Sequence, residues 1–198
     1  MTNSISPDIR GLIFDCDGTL VDSMPIHHAC WHETFAHFGE SCPPDFLPPF
    51  NGMPSRLIIA EYNKRFGRSI DTNAFTAEKD RRADRLLRSV QPIVEVTSIV
   101  EAYHGRLPMA VASGGKKRSV MRSLNAVGLV RYFDAIVTAD DPVDPKPQPG
   151  IFLEAARKIG VGPEACLVFE DGDLGIVAAR RAGMAVVDVR EFIHADAR

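Results

Sequence analysis

The run Gly11-Leu-Ile-Phe-Asp15 leads directly into Cys16-Asp17-Gly18-Thr19-Leu20. Its apolar residues are continuous rather than alternating, which is typical of a strand buried on both faces of a parallel sheet. The pair Asp17-Gly18 is a turn signal and bounds this strand. Asp15 therefore lies at the carboxyl end of the strand, and Asp17 follows two residues later, so both carboxylates are able to face one pocket.

Four later apolar runs are similar to the first one. They cover residues 108–113, 133–138, 166–170 and 184–188. The helical patterns between them stop at Gly128, Gly160 and Gly183, each placed as a C-terminal cap. Strands and helices alternate, which predicts a doubly wound, mainly parallel five-stranded α/β sheet of Rossmann-like type with right-handed crossovers. Ligands of such sheets bind beyond the carboxyl ends of the strands.

Residues 23–90 interrupt this alternation and carry helix patterns alone. Two of these helices end at Gly39 and Gly67, and a third, strongly charged helix begins near Ala74. The third helix has two oppositely charged pairs at i, i+4 spacing, Glu78–Arg82 and Asp84–Arg88. We interpret its arginines as a solvated face rather than a binding patch.

The chain has 198 residues, enough for one full core and a smaller satellite. We predict an α/β core formed by residues 1–21 and 92–198, and a small all-helical cap formed by residues 22–91 and inserted after the first strand. With 45% apolar and 25% charged residues, the composition is that of a soluble globular protein. A net charge of −3 gives no preference for nucleic acid, and no run approaches the ~18 apolar residues of a membrane helix.

The cysteines are scattered without a CxxC pair, at Cys16, Cys30, Cys42 and Cys166. Because the polar start of the chain also lacks the layout of a secretory signal, we expect free thiols and a cytoplasmic protein, a monomer or weak homodimer. A zinc site near Cys30 is the alternative. Three histidines lie close to that cysteine in sequence, His27, His28 and His32, but no spacing matches a zinc template.

The ends of the other predicted strands bring further polar residues to the same edge of the sheet. These are Ser113 with Gly114, then Lys146, then the adjacent Glu170 and Asp171. Two carboxylates ~4 Å apart repel by about 4 kcal/mol at an effective dielectric constant near 20, so four acids cannot all stay ionised unaided. A hard divalent cation is indicated, and Mg²⁺ fits best because it keeps waters and bridges to a substrate phosphate.

The same edge offers groups that bind an anion. Ser113 and the backbone N–H of Gly114, which we expect to open a helix, form an anion hole for phosphate oxygens. Lys146 adds a fixed positive charge. The alternative is that the acids only cap turns and that Lys146 lies on the surface.

Four motifs follow one another along the chain: DCDGTL from Asp15, VASGG around Ser113, DPKPQPGIF around Lys146 and FEDGDLGI around Glu170. They resemble, in order, the motifs of the haloacid dehalogenase-like phosphohydrolases, and the match spans the whole chain. The helical insert, with Asp22 and the stretch from His27 to Trp31, is similar to the cap of the β-phosphoglucomutase-like branch. One departure is Gly172, where many relatives carry Ser, which would slightly loosen the metal loop.

The resemblance implies a role for each acid. Asp15 is the expected nucleophile, which forms an aspartyl-phosphate. Asp17 is expected to protonate the leaving oxygen and later to take a proton from the hydrolytic water. The family pattern places Mg²⁺ on the Asp15 carboxylate, the Asp17 backbone carbonyl, Glu170 and Asp171.

The cap must exclude water and contact the leaving group, so polar residues at its mouth are candidates for substrate binding. We predict His27, Asn51, Gly52 and Arg56, together with Gly114 of the core. The alternatives remain that His27 is a structural histidine of the cap and that Asn51-Gly52 is only a turn. Two roles are open for Lys116. It either attracts an entering phosphate by its positive charge or is a solvated residue at the start of a helix.

Phosphatase and mutase share the phosphoenzyme and differ in whether water or a second sugar hydroxyl receives the phosphoryl group. The resemblance to β-phosphoglucomutases implies a lysine before the cap-loop glycine, where this chain has Asn51. Without that lysine a second phosphate loses a partner. We therefore predict a Mg²⁺-dependent phosphatase that acts on a small phosphorylated sugar or sugar acid and is closest in type to fructose-1-phosphate phosphatases. A β-phosphoglucomutase-type mutase is the alternative.

Two other classes of protein share part of this pattern. A two-component receiver domain also places acids, a hydroxyl and a lysine at the ends of a parallel sheet, but it lacks a helical insert and a second acid equivalent to Asp17. A catalytically silent binding protein is the other alternative. No expected catalytic position is replaced in this chain, which argues against it.

Overall fold

The computed structural model describes residues 5–193. Its sheet has five strands, β1 Gly11–Phe14, β2 Met109–Ala112, β3 Ala135–Val137, β4 Cys166–Glu170 and β5 Ala185–Asp188. The spatial order is β3-β2-β1-β4-β5, and every neighbouring pair is parallel. The predicted doubly wound parallel sheet is thus confirmed. The order reverses at β1, so the crevice where such sheets bind ligands opens beyond the carboxyl end of β1.

Seven α-helices accompany the sheet within residues 5–193. They are α1 Met24–His37, α2 Ser55–Phe66, α3 Thr72–Leu86, α4 Val94–Tyr103, α5 Lys117–Ala126, α6 Gly150–Lys158 and α7 Asp173–Arg181. The first three lie between β1 and β2 in the chain, as predicted, while α4 was not predicted as a separate helix. None of the helices in the described part is long and apolar enough to cross a bilayer.

Both faces of the central strand are covered. Leu12 and Phe14 pack into one hydrophobic cluster, and Ile13 packs into a second cluster on the other side of the sheet. All three side chains are fully buried. Because successive side chains of a strand point to opposite faces, burial on both sides requires the continuous apolar run seen in the sequence.

The helices α1, α2 and α3 have a hydrophobic core of their own. Its centre is aromatic: the ring of Phe35 lies 4.8 Å from that of Phe75 and 4.6 Å from that of Tyr62. The segments that lead into and out of this helical region lie side by side, because Val21 forms an antiparallel β-bridge with Pro92. We refer to residues 22–91 as the insert, and these bounds stay a prediction.

Candidate active site

Five polar side chains meet beyond the carboxyl ends of the central strands. Asp15 follows β1, Ser113 follows β2, Glu170 ends β4 and Asp171 follows it, while Lys146 comes from the loop before α6. All but the lysine line one cavity between the sheet and the insert. The structure therefore brings together the residues that the four sequence motifs predicted.

Lys146 is buried, with 1% of its surface exposed, so the alternative that it lies on the surface is wrong. Its Nζ donates to Asp15 Oδ1 at 2.5 Å and to Glu170 Oε2 at 2.7 Å. The ring of Phe152 lies 5.1 Å from the same Nζ. Burial lowers the pKa of Lys146, but the two carboxylates outweigh it and hold that pKa above its ordinary range. The lysine is therefore a permanent cation inside the site.

Three carboxylates form a compact cluster around this cation. One oxygen from each of Asp15, Glu170 and Asp171 lies within 4.8 Å of the others. Burial and the Glu170 carboxylate raise the pKa of Asp171 to about 7, and the same two causes raise the pKa of Asp15 well above its usual value. Lys146 balances only one of the three charges. A buried set of hard oxygens with two uncompensated negative charges fits a divalent cation.

Hydrogen bonds fix the loop that carries two of these acids. Glu170 Oε1 accepts from the backbone N–H of Asp171 at 3.1 Å and from that of Gly172 at 2.9 Å. Asp171 Oδ1 accepts from the Thr19 hydroxyl at 2.8 Å, which ties β4 to the turn after β1. The carboxylates are thus held in place by the protein itself.

Asp17 points away from this cluster, towards the insert. Its Oδ1 accepts from the Ser23 hydroxyl at 2.6 Å and lies 3.1 Å from Nε2 of His27. Burial raises the pKa of Asp17, but the charge of His27 and the hydrogen bonds from His27 and Ser23 outweigh it and lower the pKa to about 2. In this arrangement Asp17 is a carboxylate, and His27 contacts a predicted catalytic acid directly.

The anion hole differs from the prediction in one respect. Gly114 does not open a helix: α5 begins at Lys117, and the backbone N–H of Lys117 donates to Asp140 Oδ2 at 3.0 Å. A carboxylate therefore already occupies one donor of that helix N-terminus. Ser113 is buried beside the cavity, with its Oγ accepting from Gly115 N–H at 3.1 Å. Ser113 thus lines the cavity, whereas the helix N-terminus begins at Lys117 and is engaged with Asp140.

The predicted residues of the insert separate into two groups. His27, Asn51 and Gly52 line the same cavity as Asp15, and Gly114 faces them from the core. Arg56 is exposed on α2 and lines a second, neighbouring cavity instead. Arg56 thus does not line the cavity of Asp15, although His27 and Gly114 line the second cavity together with it.

Sequence reasoning missed Lys79. This residue is buried on α3 with its Nζ 5.0 Å from the Trp31 ring centroid, and it lines both cavities. Phe75 and Ala83 are buried on the same helix face. The spacing of four residues on either side of Lys79 was a signal that this lysine faces inward, although the helix as a whole is charged.

Ion pairs join the insert to the core. Lys116 Nζ lies 2.7 Å from Asp80 Oδ2, and Arg118 lies 2.6 Å from Asp84. The i, i+4 pair of Glu78 with Arg82 forms as predicted, but Asp84 pairs with Arg118 and Arg122 of α5 rather than with Arg88. Lys116 thus contacts the insert, whereas Lys117 is solvated.

The four cysteines are free, as predicted, and the structure also shows that they are buried. Within residues 5–193, the cluster of Asp15, Glu170 and Asp171 is the single group of His, Cys, Asp or Glu side chains with metal-binding geometry. The histidines near Cys30 form no such group there, and the zinc alternative receives no support.

The family model described as haloacid dehalogenase-like hydrolase matches residues 12–189. The chain belongs to this family. The match runs from β1 to the end of β5 and includes all four motifs. It confirms the resemblance seen in the sequence and is incompatible with a receiver domain.

Individual relatives agree with this assignment. The chain is 42% identical to fructose-1-phosphate phosphatase YqaB of Escherichia coli, over 91% of this chain and 96% of that protein. It is 28% identical to the phosphorylated carbohydrates phosphatase of Thermotoga maritima, over 89% and 82% of the two chains. The solved β-phosphoglucomutase of Clostridium difficile superposes with a TM-score of 0.78 at 25% identity, over 90% and 83%. The protein is a phosphoric monoester hydrolase of this family.

Proposed function

We propose that the enzyme is a Mg²⁺-dependent phosphatase that hydrolyses a small sugar phosphate similar to fructose 1-phosphate. The observation that carries the proposal is the buried cluster in which Lys146 bridges Asp15 and Glu170. It supports the proposal because the carboxylate of Asp15 lies at the carboxyl end of β1, beside a set of oxygens suited to a cation. The sugar-phosphate substrate is supported by the names of the relatives in Escherichia coli and Thermotoga maritima.

Asp15 is the proposed nucleophile. Lys146 holds its Oδ1, which leaves Oδ2 as the oxygen that attacks phosphorus. The new bond joins Oδ2 to phosphorus while the bond from phosphorus to the sugar oxygen breaks, and Asp17 gives its proton to that oxygen. Water then attacks the phosphorus of the aspartyl-phosphate and passes a proton to Asp17. Inorganic phosphate leaves, and the Asp15 carboxylate is restored.

Magnesium would be held by the carboxylates of Asp15, Glu170 and Asp171 and by the backbone carbonyl of Asp17. When bound, the ion supplies positive charge that screens the anionic phosphate from its anionic attacker. Lys146 already orients Asp15, and the Ser113 hydroxyl is placed to hold a phosphate oxygen. These protein groups are fixed in advance, which is the main source of catalysis for phosphoryl transfer.

Asp17 has to exist in two protonation states. Its pKa of about 2 keeps Asp17 deprotonated, which is the form that is able to receive a proton from water. For the first step we propose that the dianionic phosphate, arriving near Asp17, raises the pKa and allows it to carry a proton. We also propose that His27 controls the pKa of Asp17, because Nε2 of His27 contacts Asp17 Oδ1.

The insert is proposed to act as a cap over the leaving group. His27, Asn51 and Gly52 contribute from the insert and Gly114 from the core. Asn51 carries no charge, which favours water over a second phosphorylated sugar as the acceptor. A phosphomutase is the second candidate, since Lys79 gives the insert one cation beside the cavity.

Phosphate release from fructose 1-phosphate, glucose 1-phosphate and 6-phosphogluconate, with Mg²⁺ or with EDTA, tests the proposal. We expect Mg²⁺-dependent release, and we expect Asp15→Asn to lower kcat by roughly 10⁴-fold or more while the protein stays folded. Conversion of β-glucose 1-phosphate to the 6-phosphate at a comparable rate would establish the mutase instead. No Mg²⁺-dependent hydrolysis of any ester, p-nitrophenyl phosphate included, would support a silent protein.

A further inference from the structure

One face of α1 forms part of the wall of the catalytic cavity. Met24, His28 and Trp31 all line this cavity and are spaced four and three residues apart, so they share one side of the helix. His27 is the next residue round the helix and is engaged with Asp17. Two adjacent histidines therefore reach the site, and the mechanism above uses only one of them.

The side chain of His28 has a polar atom without a partner. Its Nε2 is buried, and no hydrogen-bond partner for it exists within residues 5–193. Buried polar atoms in folded proteins are nearly always hydrogen-bonded, because an unpaired one loses its interaction with water and gains nothing in return. Since His28 lines the cavity, the missing partner is expected to be part of a molecule that occupies the cavity.

The chemistry of the imidazole limits what that molecule presents. Burial, together with the neighbouring His27 and His32, lowers the pKa of His28. A neutral imidazole forms a hydrogen bond with a hydroxyl group but supplies no charge to a phosphate. The side chains that the insert contributes to the cavity wall are mostly apolar, for example Met53 and Ile58, and Lys79 is the cation among them. Such a wall suits the carbon skeleton of a leaving group, and a neutral His28 suits one of its hydroxyls.

We propose that Nε2 of His28 hydrogen-bonds a hydroxyl of the sugar leaving group and that His28 thereby determines substrate specificity. The inference rests on the proposed phosphatase function and adds that the leaving group presents a hydroxyl to the insert. His28 lies on the side of the leaving group, whereas Asp15 and Asp17 act at the phosphorus and its oxygens. Removal of His28 should therefore affect only substrates whose leaving group has hydroxyls to offer.

A comparison of two esters tests this. Fructose 1-phosphate has a polyhydroxylated leaving group, and p-nitrophenyl phosphate has a flat aromatic one. We expect His28→Leu to lower kcat/KM for fructose 1-phosphate by about tenfold, the loss of one good hydrogen bond, and to leave p-nitrophenyl phosphate hydrolysis within about twofold. His28→Gln, whose side-chain amide is able to replace Nε2, should restore most of the sugar-phosphate activity.

His32→Leu is the matched control, because His32 is exposed one turn further along the same helix. It should change neither activity, and thermal melting of all three variants verifies that they are folded. Equal losses on both esters in His28→Leu would mean a structural role and would overturn the proposal. Unchanged activity on both would mean that water satisfies Nε2, and this would overturn it as well.

The outcome also separates this inference from the proposed function. A wild-type enzyme that hydrolyses p-nitrophenyl phosphate but no sugar phosphate would overturn both. A wild-type enzyme active on sugar phosphates, with a His28→Leu variant that keeps full kcat/KM on them, would overturn the role of His28 alone.

Discussion

The ammonium group of Lys146 lies between Asp15 and Glu170, 2.5 Å from an oxygen of the first and 2.7 Å from an oxygen of the second. All three side chains are buried. Replacement of Lys146 by Met would leave both carboxylates without their cation. Loss of one partner from a buried ion pair costs about 3–5 kcal/mol, so we expect Lys146→Met to lower the free energy of unfolding by this amount. Urea denaturation measures it.

Lys158→Met is a suitable control for this substitution. Lys158 pairs with Asp141 at 2.8 Å, but nearer the surface of the protein. Ion pairs in contact with water contribute about 0–1 kcal/mol, so the same change in side chain should have little effect there. Similar losses in the two variants would show that burial does not set the strength of the Lys146 bridge.

A second prediction concerns pH and magnesium. Burial and Glu170 raise the pKa of Asp171 to about 7, so the folded protein holds this proton more tightly than the unfolded chain does. The resulting stabilisation is complete below the ordinary pKa of an aspartate and is lost as the pH rises through about 7. We therefore expect the free energy of unfolding of EDTA-treated protein to fall as the pH is raised from acidic to mildly alkaline values.

Magnesium should reverse this loss, because it binds the deprotonated carboxylates. At about 100 times its Kd, a ligand stabilises the folded state by about 2.7 kcal/mol, or about 5–10 °C in Tm for a chain of this size. We expect a shift of this order at pH 8 and a smaller one at pH 5, where protons compete for the same oxygens. Scanning fluorimetry measures both shifts, and equal shifts at the two pH values would contradict the metal site. Glu170→Gln should reduce the shift at pH 8.

The α/β part of the fold follows from local sequence. The five apolar runs are each limited by turn residues, and the intervening helices end at glycines such as Gly128 and Gly160, whose positive φ angles fit their capping role. Because the strands are parallel, the residues after them must meet at one edge. Lys146 and Asp171 were for this reason predictable as neighbours of Asp15 although they are far apart in sequence.

Contacts between the insert and the core were not predictable in the same way. The i, i+4 spacing predicted an ion pair between Asp84 and Arg88. In the structure α5 packs beside α3, and Asp84 forms its ion pairs with Arg118 and Arg122 instead. Arg56 lies at the start of α2, near the cavity of Asp15, yet it lines the neighbouring cavity. Periodicity identifies which face of a helix is apolar. It does not specify which other helix will pack against that face.

The pair of histidines on α1 gives a third prediction. His27 contacts Asp17, which acts on every substrate, whereas His28 is proposed to contact only the leaving sugar. We expect His27→Leu to lower kcat for fructose 1-phosphate and for p-nitrophenyl phosphate alike, by about 10²-fold, within the usual range of a general acid–base contribution. Steady-state kinetics on both esters checks this. A higher KM for the sugar phosphate with an unchanged kcat would assign His27 to substrate binding instead of to the control of Asp17.

The last prediction concerns the contact between the insert loop and the core. Gly52 has a φ of +86° and presents its carbonyl oxygen directly to Gly114, so that a Cβ on Gly114 would overlap this oxygen. Gly114→Ala should therefore push the loop away from the cavity. Displacement of about 1 Å near a reaction centre costs on the order of 10²-fold in rate, and we expect a loss of kcat/KM approaching that size.

Gly172 provides the comparison, because it faces the same loop from the other side of the cavity. A Cβ at Gly172 would lie 3.3 Å from Glu170 Oε1 and 3.4 Å from the carbonyl oxygen of Asn51, so a shift of a few tenths of an ångström accommodates it. Gly172→Ala should thus cost much less activity than Gly114→Ala, while both variants melt near the wild-type temperature because neither substitution disturbs the hydrophobic core. If the two variants lose activity equally, the close approach of Gly114 to Gly52 does not position the loop, and the insert reaches its working position by other contacts.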